Sequence, residues 1–214
     1  MYTVVQLLNP LRILFVENSN QKGYTFSTED NDIIENVLNG YKDDFQIIIE
    51  KYTDKIFRYT YYHFNFSKDL AEEVTQEIFL HVWKKLDKFD KSKKFQPWLY
   101  RIAYNYCIDY IRKEGKGEVY NIEDIQIESK EDNNLLDKEY KKSLIYSLLK
   151  ELNDKQKQAI ILFYFEEKSY EDIAYIFGES TSYVGTCIYR AKQKLKKIIQ
   201  SNPKLEQALE FDLM

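Results

Sequence analysis

Apolar residues recur along most of this chain at spacings of three and four, the period of an amphipathic helix. The first such block runs from near Asp30 to Lys113. Inside it, Asn39-Gly40 is a turn signal between a short helix, Asn31 to Leu38, and a long one, Tyr41 to about Phe64. The long helix carries Phe45, Ile48, Ile49, Tyr52, Ile56, Tyr59 and Tyr62 at roughly helical spacing. Ser67 is placed to cap the next helix, Lys68 to Leu86. A lysine-rich loop, Lys88 to Lys94, leads into Phe95–Lys113, where Pro97 suits a first helical turn. In that helix Leu99, Ile102, Ala103, Tyr106 and Tyr110 form the core-facing stripe.

The period is lost from Glu114 to about Asp137. Glu118, Glu123, Asp124, Glu128, Glu131 and Asp132 stand there among few bases, the signature of an acidic linker. It resumes with Leu144, Ile145, Leu148 and Leu149. Asn153, with Gln156 three residues on, reads as a capping box for a helix from Asp154 to Phe165 that is apolar nearly all round. Ser169 caps a short helix, Gly178-Glu179-Ser180 makes a turn, and a final helix runs from about Thr181 to Gln200. Six Gly and three Pro leave little punctuation for a many-stranded fold. The expected fold is all-α, with two small helical domains, 30–113 and 135–200, joined by the linker 114–134. The extension 1–29 and the tail 201–214 receive no role.

Charge and cysteine usage narrow the classes. Lys plus Arg number 31 against 35 acids, a net charge of −4, which argues against tight DNA binding by the chain alone but not against one local contact patch. Cys107 and Cys187 lie far apart inside helical patterns and read as reduced cytosolic thiols. Two histidines, His63 and His81, offer little for a metal site. There is no Gly-rich phosphate loop, catalytic triad or metal-ligand spacing, so no enzyme activity and no cofactor is expected. The apolar opening residues are broken by Asn9, Pro10 and Arg12, too short a run to insert in a membrane, so the expected location is cytoplasmic.

Three faces carry candidate chemistry. On Phe95–Lys113 a second stripe holds Trp98, Arg101, Asn105 and Arg112, with Asp109 beside it. Planar donors and an indole suit unpaired bases on a phosphate backbone, while a decorated amphipathic helix is the plain alternative. Lys68–Leu86 bears a stripe of Asp69, Glu73, Gln76, Leu80 and Trp83. Large apolar groups beside polar ones suggest a protein interface; the alternative is a helix buried on two sides. Finally, Ala174, Gly178 and Val184 have the spacing of a helix-turn-helix. Val184, Ile188, Ala191, Leu195 and Ile198 then face inward, leaving Ser182, Tyr183, Thr186, Tyr189 and Arg190 outward, followed by Lys192 and further lysines.

In this order the segments resemble bacterial sigma factors of the extracytoplasmic-function group of the sigma-seventy family. DLAEEVTQEIFLHVWKKLDKFD (Asp69 to Asp90) is similar to their core-polymerase segment, and FQPWLYRIAYNYCIDYIRK to the segment that melts and reads the −10 element. LNDKQKQAIILFYFEEKSYEDIAYIFGESTSYVGTCIYRAKQKL (Leu152 to Leu195) is similar to region four, which reads the −35 element. The resemblance implies that Asp69, Glu73, Gln76, Leu80 and Trp83 meet the clamp helices of the largest polymerase subunit, and that region four meets the flap of the second. It implies that Trp98, Arg101, Asn105 and Arg112 act at the −10 element, with Asn105 at the pocket for a flipped base. Ser182, Tyr183, Thr186, Tyr189, Arg190 and Lys192 would face the −35 groove. Promoter DNA and an anti-sigma factor are the further implied partners. Gly185 and Cys187 stand where relatives commonly carry Lys or Arg, which removes contacts from that helix. A dimeric helix-turn-helix regulator binding an operator, and a sigma mimic that sequesters polymerase, are the competing readings.

Overall fold

The computed structural model describes residues 30–114 and 143–202. The N-terminal extension, nearly all of the acidic linker and most of the C-terminal tail lie outside them. All regular elements among the described residues are helical. Helix α1 spans Asp30–Leu38, α2 Phe45–His63, α3 Lys68–Lys85 and α4 Phe95–Glu114. After the linker come α5 (143–149), α6 (Asp154–Ile160), α7 (Tyr170–Phe177) and α8 (Thr181–Ser201).

Local chemistry sets most of the boundaries. Gly40 takes φ 107° just beyond α1, a conformation open to glycine. Tyr41, at φ −80° and ψ 67°, is not helical, and a 3-10 turn at Lys42–Asp44 intervenes, so α2 starts at Phe45 and not at Tyr41. The Asn153 capping box forms: Asn153 Oδ1 accepts from the Gln156 amide at 2.9 Å, and Gln156 Oε1 accepts from the Asn153 amide at 3.3 Å. Ser169 caps α7 by accepting from the Asp172 amide at 3.0 Å. Ser67 has the extended backbone of a cap but makes no side-chain cap bond. Ser180, read only as part of a turn, caps α8 by accepting from the Tyr183 amide at 3.2 Å.

The helix expected over Asp154–Phe165 changes register. From Ile161 to Phe165 it widens into a π turn, with the Glu166 amide bonded to the Ile161 carbonyl at 3.1 Å. Directly after this turn the Glu166 side chain is buried.

The packing joins what the linker separates in sequence. Helix α2 packs against α3, α4 and the π turn, α8 lies across α6 and α7, and α4 runs along α7. One apolar core therefore extends through both halves. Tyr59, Tyr62 and Tyr100 are among its largest fully buried side chains, each contributing about 2–3 kcal/mol by burial. Helix α4 consequently has two buried faces. Leu99 and Ala103 of the expected stripe are buried, but Tyr106 and Tyr110 are only half-buried. Tyr100, Tyr104 and Cys107 are buried in addition, with the Tyr104 ring 4.8 Å from that of Phe177 on α7.

Candidate functional site

Helix α3 exposes its predicted stripe. Asp69, Glu73 and Gln76 are exposed, and Leu80 and Trp83 remain 50% and 39% accessible. The opposite side, Ala71, Val74, Ile78 and Val82, is fully buried. The helix is thus buried on one side only, and the outward apolar pair lacks an intramolecular cover. Trp83 is held from beneath by Phe45, with ring centroids 4.9 Å apart. An indole anchored on one face and open on the other suits a partner's pocket.

The second stripe, on α4, divides. Trp98 is half-buried, wedged against Phe89 at 5.1 Å and Phe95 at 5.6 Å. Asn105 is exposed. Arg112 pairs with Asp109 at 2.9 Å, a local i,i+3 ion pair on an exposed turn. Arg101 is turned toward the other half of the molecule. Its Nη1 donates to the Tyr175 carbonyl at 3.2 Å, and its guanidinium lies 5.2 Å from the centre of the Tyr175 ring.

The helix-turn-helix is formed by α7, α8 and the turn between them. Gly178 takes φ 68° and closes α7 with amide bonds to the Ala174 and Tyr175 carbonyls. Val184, Ile188, Ala191 and Leu195 are buried, and Ile198 is partly so. Ser182, Tyr183, Thr186, Tyr189 and Arg190 are exposed, and Lys192 is intermediate. Thr186 Oγ1 donates to the Ser182 carbonyl at 3.0 Å. An open groove of about 750 Å³ runs between the start of α8 and the start of α6, lined by Ser182, Tyr183, Thr186 and Arg190.

Lys155 also lines this groove, a residue the sequence did not single out. Its Nζ meets Glu179 Oε1 at 2.6 Å and lies 5.1 Å from the centre of the Tyr183 ring. The Glu179 carboxylate raises its affinity for the proton, so it stays cationic. No local pattern marks Lys155, because it reaches the site from a different helix. Cys187 is buried, and burial pushes its thiol up, so it is a packing residue. A Cβ at Gly185 would sit 3.5 Å from the Tyr170 ring, ordinary contact, so space alone does not require glycine there. Among the described residues no cluster could hold a metal ion, and no helix is long and apolar enough to cross a membrane.

Comparison with known proteins matches this arrangement. The sigma-70 region 2 family model matches residues 48–117, and a sigma-70 region 4 model matches residues 142–195. The chain is 32% identical over 176 residues to the ECF RNA polymerase sigma factor SigW of Bacillus subtilis, covering 77% of this chain and 93% of SigW. It is 31% identical over 156 residues to SigM of the same organism, covering 71% of this chain and 92% of SigM. Among solved structures, the fold is similar to CnrH in complex with the cytosolic domain of CnrY (TM-score 0.63, 21% identity, 81% of this chain and 98% of that one). It is also similar to RpoE in complex with the anti-sigma factor NepR from Bartonella quintana (TM-score 0.55, 26% identity, 73% of this chain and 97% of that one). The two family segments, in order along one chain and borne on these helices, leave the operator-binding regulator and the sequestering mimic without support. The chain belongs to the sigma-70 family, in its extracytoplasmic-function (ECF) group, and is a sigma factor that directs initiation of transcription at promoters.

Proposed function

We propose a division of labour among the three faces. The outer side of α3, with Asp69, Glu73, Gln76, Leu80 and Trp83, docks on core RNA polymerase, at the clamp helices of its largest subunit. Trp98, Arg101 and Asn105 open and hold the −10 DNA, with Asn105 at a flipped base. Flipping costs a few kcal/mol of unstacking, which docked contacts must offset. Ser182, Tyr183, Thr186, Tyr189, Arg190 and Lys192 face the −35 major groove, and Lys155 joins them at a phosphate. In this scheme residues 30–113 form the core-binding and −10 unit, 114–134 the linker, and 135–200 the −35 unit, which also meets the flap of the second large subunit. The protein acts in the cytoplasm, needs no cofactor, and is held in check by an anti-sigma factor. That last expectation is supported by the RpoE–NepR complex.

The observation that carries this reading is the uncovered pair Leu80 and Trp83 beside Glu73 and Gln76 on a helix otherwise sealed into the core. The net charge of −4 supports the order of events: polymerase first, promoter second, since electrostatic affinity of the lone chain for DNA is poor. The test is copurification with core polymerase, then run-off transcription by the reconstituted holoenzyme on genomic fragments. Discrete transcripts that require this chain are expected. Failure to bind core, or tight promoter binding without it at physiological salt, overturns the scheme.

A further inference from the structure

We propose that this chain reads its −35 element chiefly through thymine methyl groups, with Thr186 as the central specificity-determining residue and Arg190 taking at most one guanine. The inference deepens, and rests on, the assignment of the outer face of α8 to the −35 major groove.

The major groove offers a distinct edge for each base. Guanine presents two acceptors, matched by Arg or Lys. Adenine presents a donor and an acceptor, matched by Asn or Gln. Cytosine presents an amine donor, matched by Asp or Glu. Thymine presents an acceptor and a C5 methyl group, and the methyl is matched by an apolar contact. From Thr181 to Tyr189, α8 carries no Lys, Arg, Asn, Gln, Asp or Glu. Arg190 is its first cation and the first side chain on it able to take guanine. Lys194, further along, is committed to the Glu151 carbonyl. The acid nearest the start of the helix is Glu179, and its carboxylate is paired with Lys155 at 2.6 Å. A Cβ at Gly185 would face the Tyr170 ring, and Cys187 is buried, so neither position offers a polar group to a base. The exposed remainder before Arg190 is Thr181, Ser182, Tyr183, Thr186 and Tyr189.

Thr186 stands at the centre of this set, three residues from each tyrosine. Its hydroxyl donates to the Ser182 carbonyl one turn back at 3.0 Å, which leaves the γ-methyl as the group it offers outward. Tyr183 and Tyr189 are 40% and 63% exposed, two of the large apolar side chains that the fold leaves uncovered. At 1.5 Å per residue the three side chains span about 9 Å of helix, the rise of two to three base-pair steps. A methyl flanked by two aromatic rings is an apolar surface of the length needed to meet successive thymine methyl groups.

The cation of the groove is set to one side. Lys155 projects from α6, with its Nζ held by Glu179 and 5.1 Å from the centre of the Tyr183 ring. A lysine reaching in from another helix suits a phosphate, a contact that fixes register and carries no sequence information. Positioning and reading are thus separated. Lys155 places the duplex, and Thr186 with the two tyrosines selects A·T pairs. The preferred −35 element is a run of A·T pairs with one G·C pair at Arg190.

The test uses the full chain in reconstituted holoenzyme, at subsaturating concentration, on promoter fragments that it transcribes. Each −35 thymine is replaced in turn by deoxyuridine, which removes the C5 methyl and keeps the pairing edge. Run-off transcript is expected to fall about fourfold at one or more positions, the worth of one buried methyl. At one of these positions Thr186→Ser, which keeps the hydroxyl and removes only the methyl, is expected to give equal transcript from thymine and deoxyuridine. Thr186→Val, which keeps a methyl and removes the hydroxyl, is expected to retain the preference for thymine. Equal transcript from thymine and deoxyuridine at every −35 position in the unsubstituted chain overturns the proposal. So does a preference that Thr186→Ser leaves intact everywhere, or one that Thr186→Val abolishes. Transcription indifferent to replacement of the whole element overturns the α8 assignment together with the proposal, whereas dependence on base without dependence on methyl overturns the proposal alone.

Discussion

Helices α3 and α4 each carry a stripe of aromatic and polar residues at helical spacing, yet the molecule treats them differently. On α3 the stripe is open, with Leu80 and Trp83 half in solvent. On α4 it is partly committed: Trp98 is wedged into Phe89 and Phe95, and Arg101 is bonded across the seam to Tyr175. A face that is open in the free chain can meet a partner at once. A face that is committed must first be released, and the energy for release has to come from a partner already bound. The contrast thus supports polymerase before promoter on geometric grounds, independently of net charge.

The contrast can be broken most severely where Arg58 on α2 meets the buried Glu166 carboxylate. Arg58→Ala leaves the Glu166 carboxylate buried, with the Tyr100 hydroxyl still donating to it. A loss of about 3 kcal/mol in denaturant unfolding is expected, as for other buried pairs stripped of one member. A loss below 1 kcal/mol would mean that water readily reaches the seam.

Trp98→Ala comes next. Its ring is packed on two aromatics, so the substitution should cost about 2 kcal/mol of stability as well as open-complex formation. Asn105→Ala, at an exposed position, should impair open-complex formation with stability within about 0.5 kcal/mol. Thermal melts beside permanganate footprinting of the melted DNA separate the two. Equal stability losses would remove the distinction between a packed and a free residue on this face.

Acidification is a gentler probe. His63 is fully buried and its pKa in the folded chain is lowered to about 3, against an ordinary 6.5. The folded state therefore resists protonation while the unfolded state accepts it. Stability is full above pH 6.5 and falls as pH drops below it, by about 1.4 kcal/mol at pH 5.5. Urea unfolding at pH 7.5 and 5.5 measures the difference, and His63→Asn should remove most of it. An unchanged difference in that variant would assign the effect to other groups.

The smallest effect on stability belongs to α3. Leu80→Ala should change unfolding by no more than about 0.5 kcal/mol, while affinity for core polymerase falls about tenfold. Retention of core on an affinity column, measured beside the melt, decides it. A large stability loss with affinity unchanged would return Leu80 to the fold.

Much of this molecule was legible residue by residue. Asn153 with Gln156, Ser169 with Asp172, and Gly178 are signals read by their own backbone neighbours, and each acts as its local chemistry predicts. The α3 stripe and the outward set on α8 were legible too, since helical period alone separates their faces. Other features were not. The π turn at Ile161–Phe165 has no local signature, and an all-apolar run reads as a uniformly buried helix. Tyr100, Tyr104 and Cys107 lie off the expected α4 stripe, and a second buried face exists only once another helix covers it.

By itself, then, the chain's pattern determines an all-helical fold, its caps, its helix-turn-helix and the family to which those segments belong. All depend on interactions within a few residues or on a period of 3.6, which sequence order preserves. Only the tertiary structure decided that α4 lies along α7, that Glu166 answers to Arg58 and Tyr100, and that Arg101 is engaged with Tyr175. Those pairings join residues more than sixty positions apart, and the physical reason they were hidden is the same for each. A carboxylate, a phenol or a guanidinium suits solvent as well as a buried partner, and only packing determines which it meets.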